Sequence, residues 1–389
     1  MKKFWAILIA IAFLAIAAMP VMAQAPIEDR LANIEKQVAA CWKFYGSVRI
    51  ATFYNRFNPK DNNRNDGGTG YKDKGTTWLN QNNSRIGARV ALGDISGHFE
   101  YAQGGSAADS SPLATRLLYG AWNFGPGSIV VGQDYTPIYW DVTTRVYGED
   151  NQMYGFGQYY GGREAQIKLI YGAFQFAMID PRNGVSTHGN STALLSSENY
   201  SVYLPRFEAS YDLNFGALTG RVMAGFKTFS LVENKDRLNE DKESVSSYIF
   251  ALGLKYAPGP FSAGLSTFYA QNVGNYAGNS MSMRSSNNPL HNGVGLGAGT
   301  SGYKDVNLGG DSTNCKTLGL LLALGYKVND MVSFNVGYGI QEDKWKLDPD
   351  SKKFKAQAYF INMPLTIAKN FWITPEIGIE NFKAKKRLC

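Results

Sequence analysis

Two short segments near the start of the chain carry polar and basic side chains at every second position: Tyr45, Ser47 and Arg49, and then Arg85, Gly87 and Arg89. Every second residue of a β-strand points to the same face, so each segment predicts a strand with a basic face. Where such faces line a narrow water-filled opening, fixed charges of opposite sign create a transverse field across it, and the sign in excess sets the ion preference. For Arg49 and Arg89 the alternation is the only support, and a solvated position near a strand end is the alternative.

A third arginine lies in residues 115–137, which predict two short strands joined by a Phe-Gly-Pro-Gly turn. Alternation separates two sets of side chains: Arg116, Leu118, Gly120 and Trp122, and Leu117, Tyr119, Ala121 and Asn123. One face then carries an arginine and the other is mostly apolar, which suits a barrel wall with lipid outside and water inside. An arginine costs little on the water-filled side but roughly 2–4 kcal/mol on the lipid side. The pattern therefore predicts a channel.

The residues that enzymes and metal sites need are sparse. His98 falls on a predicted strand, His188 and His291 fall in loops, and no recognisable nucleophile turn accompanies them. The acidic loop of residues 61–68 departs from the known calcium-binding loop in the place of its glycine and in the missing distal glutamate. We therefore expect no enzymatic activity and no metal or cofactor.

The sequence also predicts that the chain is exported. Residues 1–23 are typical of a secretory signal peptide, with Lys2 and Lys3 before an apolar run and a small-residue cleavage site that ends at Ala23. After this segment no apolar stretch is long enough for a spanning helix, while aromatic residues, at 13%, are too frequent for a disordered chain. Because only closed barrels cross membranes without helices, we expect an outer-membrane barrel. An exported soluble β-solenoid or sandwich is the alternative.

The charge of the chain is concentrated at its ends. Lys2 and Lys3 account for two of the seven formal positive charges, and the basic tail of residues 383–389 accounts for four more. Residues 24–382 are therefore close to +1, and no basic stripe runs through the body of the chain. This excludes a nucleic-acid partner.

A short helix is predicted before the strands, in residues 24–41. Ile27, Leu31, Ile34 and Val38 are spaced by four, three and four residues, which makes one apolar stripe of two heptads. Two heptads are marginal on their own. A short periplasmic coiled coil that joins protomers and a leader helix that lies on the barrel are both consistent with this pattern.

Residues 44–382 alternate between short and long connections, as in a transmembrane antiparallel β-barrel of the 16-stranded type. Seven short turns are predicted near residues 93–96, 124–127, 171–173, 214–217, 257–260, 328–330 and 368–370. The long polar connections include residues 135–162 and 343–353. About 15 strands can be identified in this all-β domain, and the last, near residues 371–382, should run away from the short turns. The final strand is either missing, through truncation or a frameshift, or was overlooked in the pattern.

Several segments resemble the Gram-negative general porins. The hairpin that runs from Arg116 through Phe124-Gly125 to Asp134 and Thr136-Pro137 is similar to their fourth and fifth strands. Phe44-Tyr45-Gly46 and Ser84-Arg85-Ile86-Gly87 resemble the first two strands, and residues 163–176 resemble the strand after the constriction loop. The resemblance spans about residues 44–382 and is strongest between residues 84 and 171.

This resemblance implies a homotrimer of water-filled barrels in the outer membrane, surrounded by lipid and lipopolysaccharide. Each barrel would be narrowed by an inward loop, here residues 135–162, whose carboxylates face a basic wall. The expected basic residues are Arg49, Arg85, Arg89, Arg116, Arg163 and Lys168, and the expected acidic residues are Asp134, Asp141, Glu149 and Asp150. The loop lacks the acidic Pro-Glu-Phe-Gly-Gly run of the enterobacterial proteins, so the acidic partners stay open.

The expected function is passive diffusion of small hydrophilic solutes and ions, with a preference for anions because the wall is rich in arginine. A substrate-selective channel is the alternative, and stacked aromatic side chains along the pore would favour it. A structural or adhesive barrel is a more remote alternative.

Overall fold

The computed structural model describes residues 41–56, 74–81, 83–103, 113–147, 153–181, 200–232, 242–277, 313–346 and 351–387. The predicted signal peptide, nearly all of the predicted helix of residues 24–41, the loop of residues 61–68, and Glu149 and Asp150 lie outside these ranges.

Strands dominate the described residues. In chain order they are β1 (Trp42–Ser47), β2 (Ile50–Arg56), β3 (Lys74–Asn80), β4 (Arg85–Leu92), β5 (Ile95–Gln103), β6 (Leu113–Asn123), β7 (Gly127–Tyr135), β8 (Arg163–Tyr171), β9 (Phe174–Ile179), β10 (Tyr200–Ser201), β11 (Arg206–Phe215), β12 (Leu218–Val232), β13 (Lys242–Tyr256), β14 (Phe261–Gln271), β15 (Cys315–Lys327), β16 (Ser333–Lys346), β17 (Ser351–Asn362), β18 (Leu365–Ala368), β19 (Phe371–Ile373) and β20 (Glu376–Arg387). A short helix, α1 (Val273–Ala277), follows β14.

One large antiparallel sheet contains most of these strands. Its order is β1, β4, β5, β6, β7, β8, β9, β11, β12, β13, β14, β15, β16, β17 and β20, and β10 pairs with β12 beside β11. Two hairpins form separate two-stranded sheets. β2 pairs with β3, between β1 and β4 in the chain, and β18 pairs with β19, between β17 and β20. The fifteen strands in this order, each antiparallel to the next, confirm the predicted all-β barrel fold and the strand count within the described residues.

The two faces of the wall differ as the alternation predicts. In β15, Cys315, Thr317 and Leu321 are buried, while Leu318 and Leu322 on the opposite face are exposed. A strand that exposes its leucines on the outer face suits contact with hydrocarbon, because lipid takes the place that water has around a soluble sheet.

All seven short turns occur where they were predicted. Gly93 and Gly216 have φ values of 58° and 70°, in the left-handed region that glycine adopts without a steric penalty. These turns lie at one end of the wall and the long connections at the other. The last strand starts after the turn at residues 369–370, and Arg387 pairs with Ser351 at the loop end, so it runs in the predicted direction.

One long connection, between β16 and β17, is shorter than predicted. Residues 343–353 were expected to be a loop, but β16 continues to Lys346 and β17 begins at Ser351. The alternation of buried and exposed side chains continues into these residues, and Asp343, Trp345 and Phe354 remain buried on the inner face. Polar composition alone therefore misplaced the ends of these two strands.

The interior is filled on one side. The described parts of residues 136–162, together with α1, pack against the inner face of the strands from β11 to β20. Two apolar clusters form there, one around Ile138, Tyr159, Phe268 and Tyr276 and the other around Met153, Phe156, Trp345 and Phe354. The connection between β7 and β8 thus lies inside the wall and is held by apolar burial.

Among the described residues, no helix has the length and the apolar character needed to cross a membrane.

Candidate functional site

The inner face of β4, β5 and β6 carries a basic cluster, here called the basic wall: Arg49, Arg85, Arg89 and Arg116, with Glu100 among them. Glu100 on β5 accepts a hydrogen bond from Arg116 Nε at 2.5 Å, and Arg85 lies 3.5 Å from the same carboxylate oxygen. Arg49, between β1 and β2, lies close enough to Arg85 and Arg116 for their positive charges to interact. One carboxylate therefore faces several guanidinium groups.

A β-bulge brings Arg116 to this face. Glu100 pairs with Leu117 and Tyr101 with Thr115, so Arg116 is an extra residue in β6. An extra residue in a strand turns two successive side chains to the same side. Arg116 therefore shares the interior with Leu117, while Leu118 and Trp122 are exposed outside. The prediction that Arg116 shares a face with Leu118, Gly120 and Trp122 was wrong, because strict alternation fails at the bulge.

Aromatic and histidine side chains link the basic wall to its neighbours. Tyr45 OH donates to Glu100 Oε2 at 2.8 Å and lies 2.5 Å from His98 Nε2. His98 Nδ1 is 3.3 Å from Tyr119 OH, and the guanidinium of Arg89 lies 5.6 Å from the centre of the Tyr45 ring. These contacts connect Glu100, His98 and Arg89 through the rings of Tyr45 and Tyr119.

A second, neutralised pair lies on the next two strands. Lys168 on β8 is buried, and its Nζ lies 2.5 Å from Asp134 Oδ2 on β7 and donates to the Tyr135 carbonyl at 2.9 Å. Arg163 at the start of β8 lies over the Tyr135 ring, 5.7 Å from its centre. Because Asp134 and Lys168 compensate each other, they add little net charge to the interior.

A buried ion pair anchors the base of the inward connection. Arg206 on β11 lies 3.3 Å from Glu208, and both side chains have no solvent exposure. Arg206 donates to the Gly161 carbonyl at 2.8 Å, and Glu208 accepts from the Ile138 backbone N–H at 2.9 Å and from Tyr276 OH at 2.8 Å. Each charged group thus makes hydrogen bonds in addition to its contact with the other, which offsets part of the cost of burial.

A second charged contact holds the same connection at β20. Arg145 is almost fully buried, and its guanidinium lies 2.5 Å from Glu380 and 3.9 Å from Glu376. Glu376 also accepts the backbone N–H groups of Val146 and Tyr147, at 2.8 and 3.0 Å. The connection is therefore held on both sides of the interior, on β11 and on β20.

Between these anchors the backbone itself touches the wall. Gly157 has a φ of 103°, and a Cβ added there would lie 2.2 Å from the Leu320 carbonyl oxygen. The Gly157 carbonyl accepts a hydrogen bond from Ser266 Oγ at 3.2 Å. Only glycine combines this φ with so close an approach.

Tyrosine rings cluster where the inward connection leaves β7. The rings of Tyr135 and Tyr139 stack at 4.7 Å, those of Tyr154 and Tyr160 stack at 5.0 Å, and Tyr139 meets Tyr160 edge to face at 5.6 Å. Arg116 reaches this cluster through a 3.3 Å hydrogen bond to Tyr135 OH. Burial raises the pKa of Tyr160 to about 12.

The predicted site residues fall into three groups. The structure brings Arg49, Arg85, Arg89 and Arg116 together. Arg163 and Lys168 lie on β8. Asp134 forms an ion pair with Lys168. Asp141 accepts a 3.1 Å hydrogen bond from Tyr139 OH, while Glu149 and Asp150 lie outside the described residues. The role of these residues in setting the opening stays a prediction.

The sequence reasoning missed most of the charges that organise the interior. These are Glu100, Arg145, Arg206, Glu208, Glu376 and Glu380. Two signals could have found some of them: Glu100 shares the face of His98 by alternation, and Arg206 and Glu208 are two apart on one strand. Arg145 gives no such signal, since it lies in a connection and contacts a strand 235 residues away.

An antiparallel barrel with an apolar outer face, a basic inner wall and an inward connection defines a membrane channel of the outer-membrane type. A family model described as Gram-negative porin matches residues 10–363 of this chain. The chain therefore belongs to the Gram-negative porin family. As a member of this family, it is a passive diffusion channel of the outer membrane.

Solved structures support the fold. The trimer form of OmpT, an outer membrane protein of Vibrio cholerae, is 15% identical, with 88% of each chain covered and a TM-score of 0.54. The outer membrane channel DcaP of Acinetobacter baumannii is 13% identical, with 88% of this chain and 97% of that chain covered and a TM-score of 0.54. None of the curated proteins compared with this chain matches it.

Proposed function

We propose that the channel passes small hydrophilic solutes and prefers anions. The observation that carries this proposal is the composition of the basic wall, where Glu100 is the one carboxylate that the described residues place among the guanidinium groups of Arg49, Arg85, Arg89 and Arg116. A wall with excess positive charge raises the local concentration of anions and lowers that of cations. Because the inward connection fills the other side of the interior, we expect solutes to pass along the basic wall.

Single-channel recording in asymmetric salt tests this proposal. The wild-type reversal potential should have the sign of an anion-selective pore, and Arg116→Ala should shift it toward zero. Lys327→Gln is the matched control, because Lys327 pairs with Asp330 in the exposed turn between β15 and β16, which is not part of the basic wall. Cation preference in the wild type, or an Arg116→Ala channel with unchanged conductance and selectivity, contradicts the proposal.

The structure favours a second candidate, a channel that selects aromatic solutes. The stacked rings of Tyr135, Tyr139, Tyr154 and Tyr160 beside Arg116 combine apolar faces with a fixed positive charge. Such a surface retains a planar anion longer than a simple ion. Saturation of conductance at rising concentrations of an aromatic carboxylate, but not of chloride, would support this candidate. A barrel without any measurable conductance would instead favour a structural or adhesive role.

Further proposals concern the assembly and processing of the chain. The chain does no chemistry of its own and assembles as a homotrimer; the similar OmpT of Vibrio cholerae has a trimer form, which supports this assembly. Its lipid partners include lipopolysaccharide. Its signal peptide is cut after Ala23, which leaves Gln24 as the first residue. Mass spectrometry of the purified protein under native and denaturing conditions tests the trimer and the cleavage together.

A further inference from the structure

The outer face of β15, β16, β17 and β20 changes character in regular steps toward the loop end. Its rows, read across the strands by register, begin with apolar side chains. One such row contains Leu322, Tyr338, Tyr359 and Ile379, and the next contains Leu320, Ile340, Gln357 and Asn381. Gln357 donates to Tyr338 OH at 2.5 Å, and Asn381 donates to Tyr359 OH at 2.7 Å. The amide groups therefore mark the upper border of the lipid-facing band.

Above this border lies a row of like charges, here called the lysine row. Lys316 pairs with Lys344, Lys344 pairs with Lys353, and the backbone register places Lys385 opposite Lys353. These four positions occupy one level on four neighbouring strands. Since strands are about 4.8 Å apart, the row is about 14 Å wide.

The row between the amides and the lysine row adds more positive charge. It contains Leu318, Glu342, Lys355 and Lys383. Glu342 is the carboxylate here, and it contacts two residues of the lysine row: Lys344 at 2.7 Å, and Lys353. Among the described residues, these two rows thus hold the five lysines Lys316, Lys344, Lys353, Lys355 and Lys383 but one carboxylate, Glu342.

Like charges directly opposite each other destabilise a sheet. A row of lysines on adjacent strands is therefore costly unless an anion lies against it. The position of the row limits what that anion is, since it lies outside the barrel, just above the apolar band, at the end of the long connections. At that depth in an outer membrane lie the phosphate groups of the outer-leaflet glycolipid.

We propose that Lys316, Lys344 and Lys353 of the lysine row, with Lys355 and Lys383, bind the phosphate groups of lipopolysaccharide directly. The proposal rests on the proposed function in one respect, because the long connections must face the cell exterior. Ammonium groups take the place of the divalent cations that otherwise bridge neighbouring anionic headgroups. The bound glycolipid then covers this face, and its acyl chains lie along the apolar rows below.

Titration of the full-length protein in detergent with lipid A, in the presence of EDTA, tests this binding. Lipid A that binds the folded state alone raises the unfolding temperature as its concentration rises. Because each lysine near an anionic surface adds to the attraction, Lys316→Gln/Lys355→Gln should need at least about tenfold more lipid A for the same rise. This double variant leaves both ion pairs of Glu342 in place.

The matched control is Lys327→Gln/Lys369→Gln, which removes two exposed lysines at the short-turn end and should titrate like the wild type. Lipid A without its phosphates should act equally weakly on all three proteins. Without lipid, Lys316→Gln/Lys355→Gln should be at least as stable as the wild type, because its like charges are fewer. This outcome also excludes a folding defect.

Three results overturn the proposal: equal titration of wild type and Lys316→Gln/Lys355→Gln, full stabilisation by the dephosphorylated lipid, or loss of oligomer in the variant without a change in lipid A binding. Conductance of the same preparations in bilayers of phospholipid alone separates this failure from failure of the channel. If the variant conducts like the wild type and binds lipid A equally well, the proposed channel function is retained and the proposed binding of lipid A to the lysine row is wrong.

Discussion

Two arginine–glutamate pairs inside the barrel have the same chemistry but different surroundings. In the basic wall, the side chains of Arg116 and Glu100 are 12% and 5% exposed, and Arg85 shares the same carboxylate. At the base of the inward connection, Arg206 and Glu208 are fully buried and are bonded to the backbone of that connection. The first pair belongs to a cluster in which arginines outnumber the carboxylate, whereas the second uses its charges to hold the chain in place.

This difference separates selectivity from structure. A charge that solutes can approach acts through its field, and its removal changes ion preference more than stability. A charge enclosed by protein has no water to solvate it, so its removal leaves the partner uncompensated. The variants below are expected to distinguish these two effects, with the largest effect first.

Arg206→Ala should destabilise the protein most, by about 3–5 kcal/mol, because Glu208 would remain buried without its countercharge. Chemical unfolding in detergent or lipid measures this loss. The double variant Arg206→Ala/Glu208→Gln should recover part of it, since the uncompensated charge is then gone. Equal instability of the single and double variants would show that packing, and not charge, dominates at this anchor.

Gly157→Ala should displace the inward connection from β15, because the new Cβ would overlap the Leu320 backbone and the φ of 103° is unfavourable. Strain of this kind costs about 1–3 kcal/mol, and the open-channel current should become noisier. Gly216→Ala is the control, since Gly216 has a φ of 70° but no atom near its added Cβ. Matching current noise in the two variants would mean that the contact with Leu320 does not hold the connection.

Glu100→Gln should increase anion preference, since it removes the carboxylate that Arg85 and Arg116 share. Its cost in stability should be about 1–2 kcal/mol, because the glutamine still accepts and donates hydrogen bonds. Reversal potentials measure the change in selectivity. Asp212→Asn, which removes the partner of Arg221 on the filled side, should shift the potential less. A larger shift for Asp212→Asn would place the selective path on the other side of the interior.

Tyr139→Phe should have the smallest effect. It removes the 3.1 Å hydrogen bond to Asp141 but keeps the ring stacked on Tyr135, so the loss should be about 0.5–1.5 kcal/mol. Saturation by an aromatic carboxylate, if present, should persist in Tyr139→Phe and weaken in Tyr139→Ala. Loss of saturation in both variants would assign the interaction to the hydroxyl group.

Much of the fold could be predicted because its signals are local. A strand needs only a period of two, and a tight turn needs only a few residues such as Gly93-Asp94, so all seven turns were found. The basic wall was also visible in part, since Arg85 and Arg89 follow the alternation of one strand. The extra residue at Arg116 was not visible, because a bulge is a property of the pairing with β5 and not of β6 alone.

The anchors of the inward connection are the opposite case. Arg145 meets Glu380 across 235 residues, and Glu208 accepts a backbone N–H that lies 70 residues away. No spacing within one segment encodes such contacts. For the same reason the carboxylate that faces the arginines was sought in the connection, at Asp141, Glu149 and Asp150, whereas the structure places Glu100 of β5 beside them.

The sequence by itself determined the exported, aromatic-rich barrel, the direction of its strands and, where no bulge interrupts the alternation, the side of a strand that meets lipid. The period of two and the turn residues act over a few positions, and the cost of a charge in hydrocarbon leaves little freedom. Only the tertiary structure decided which charges meet in the interior. That choice depends on the register of neighbouring strands, on one bulge, and on the path of a connection that crosses the barrel to reach β20.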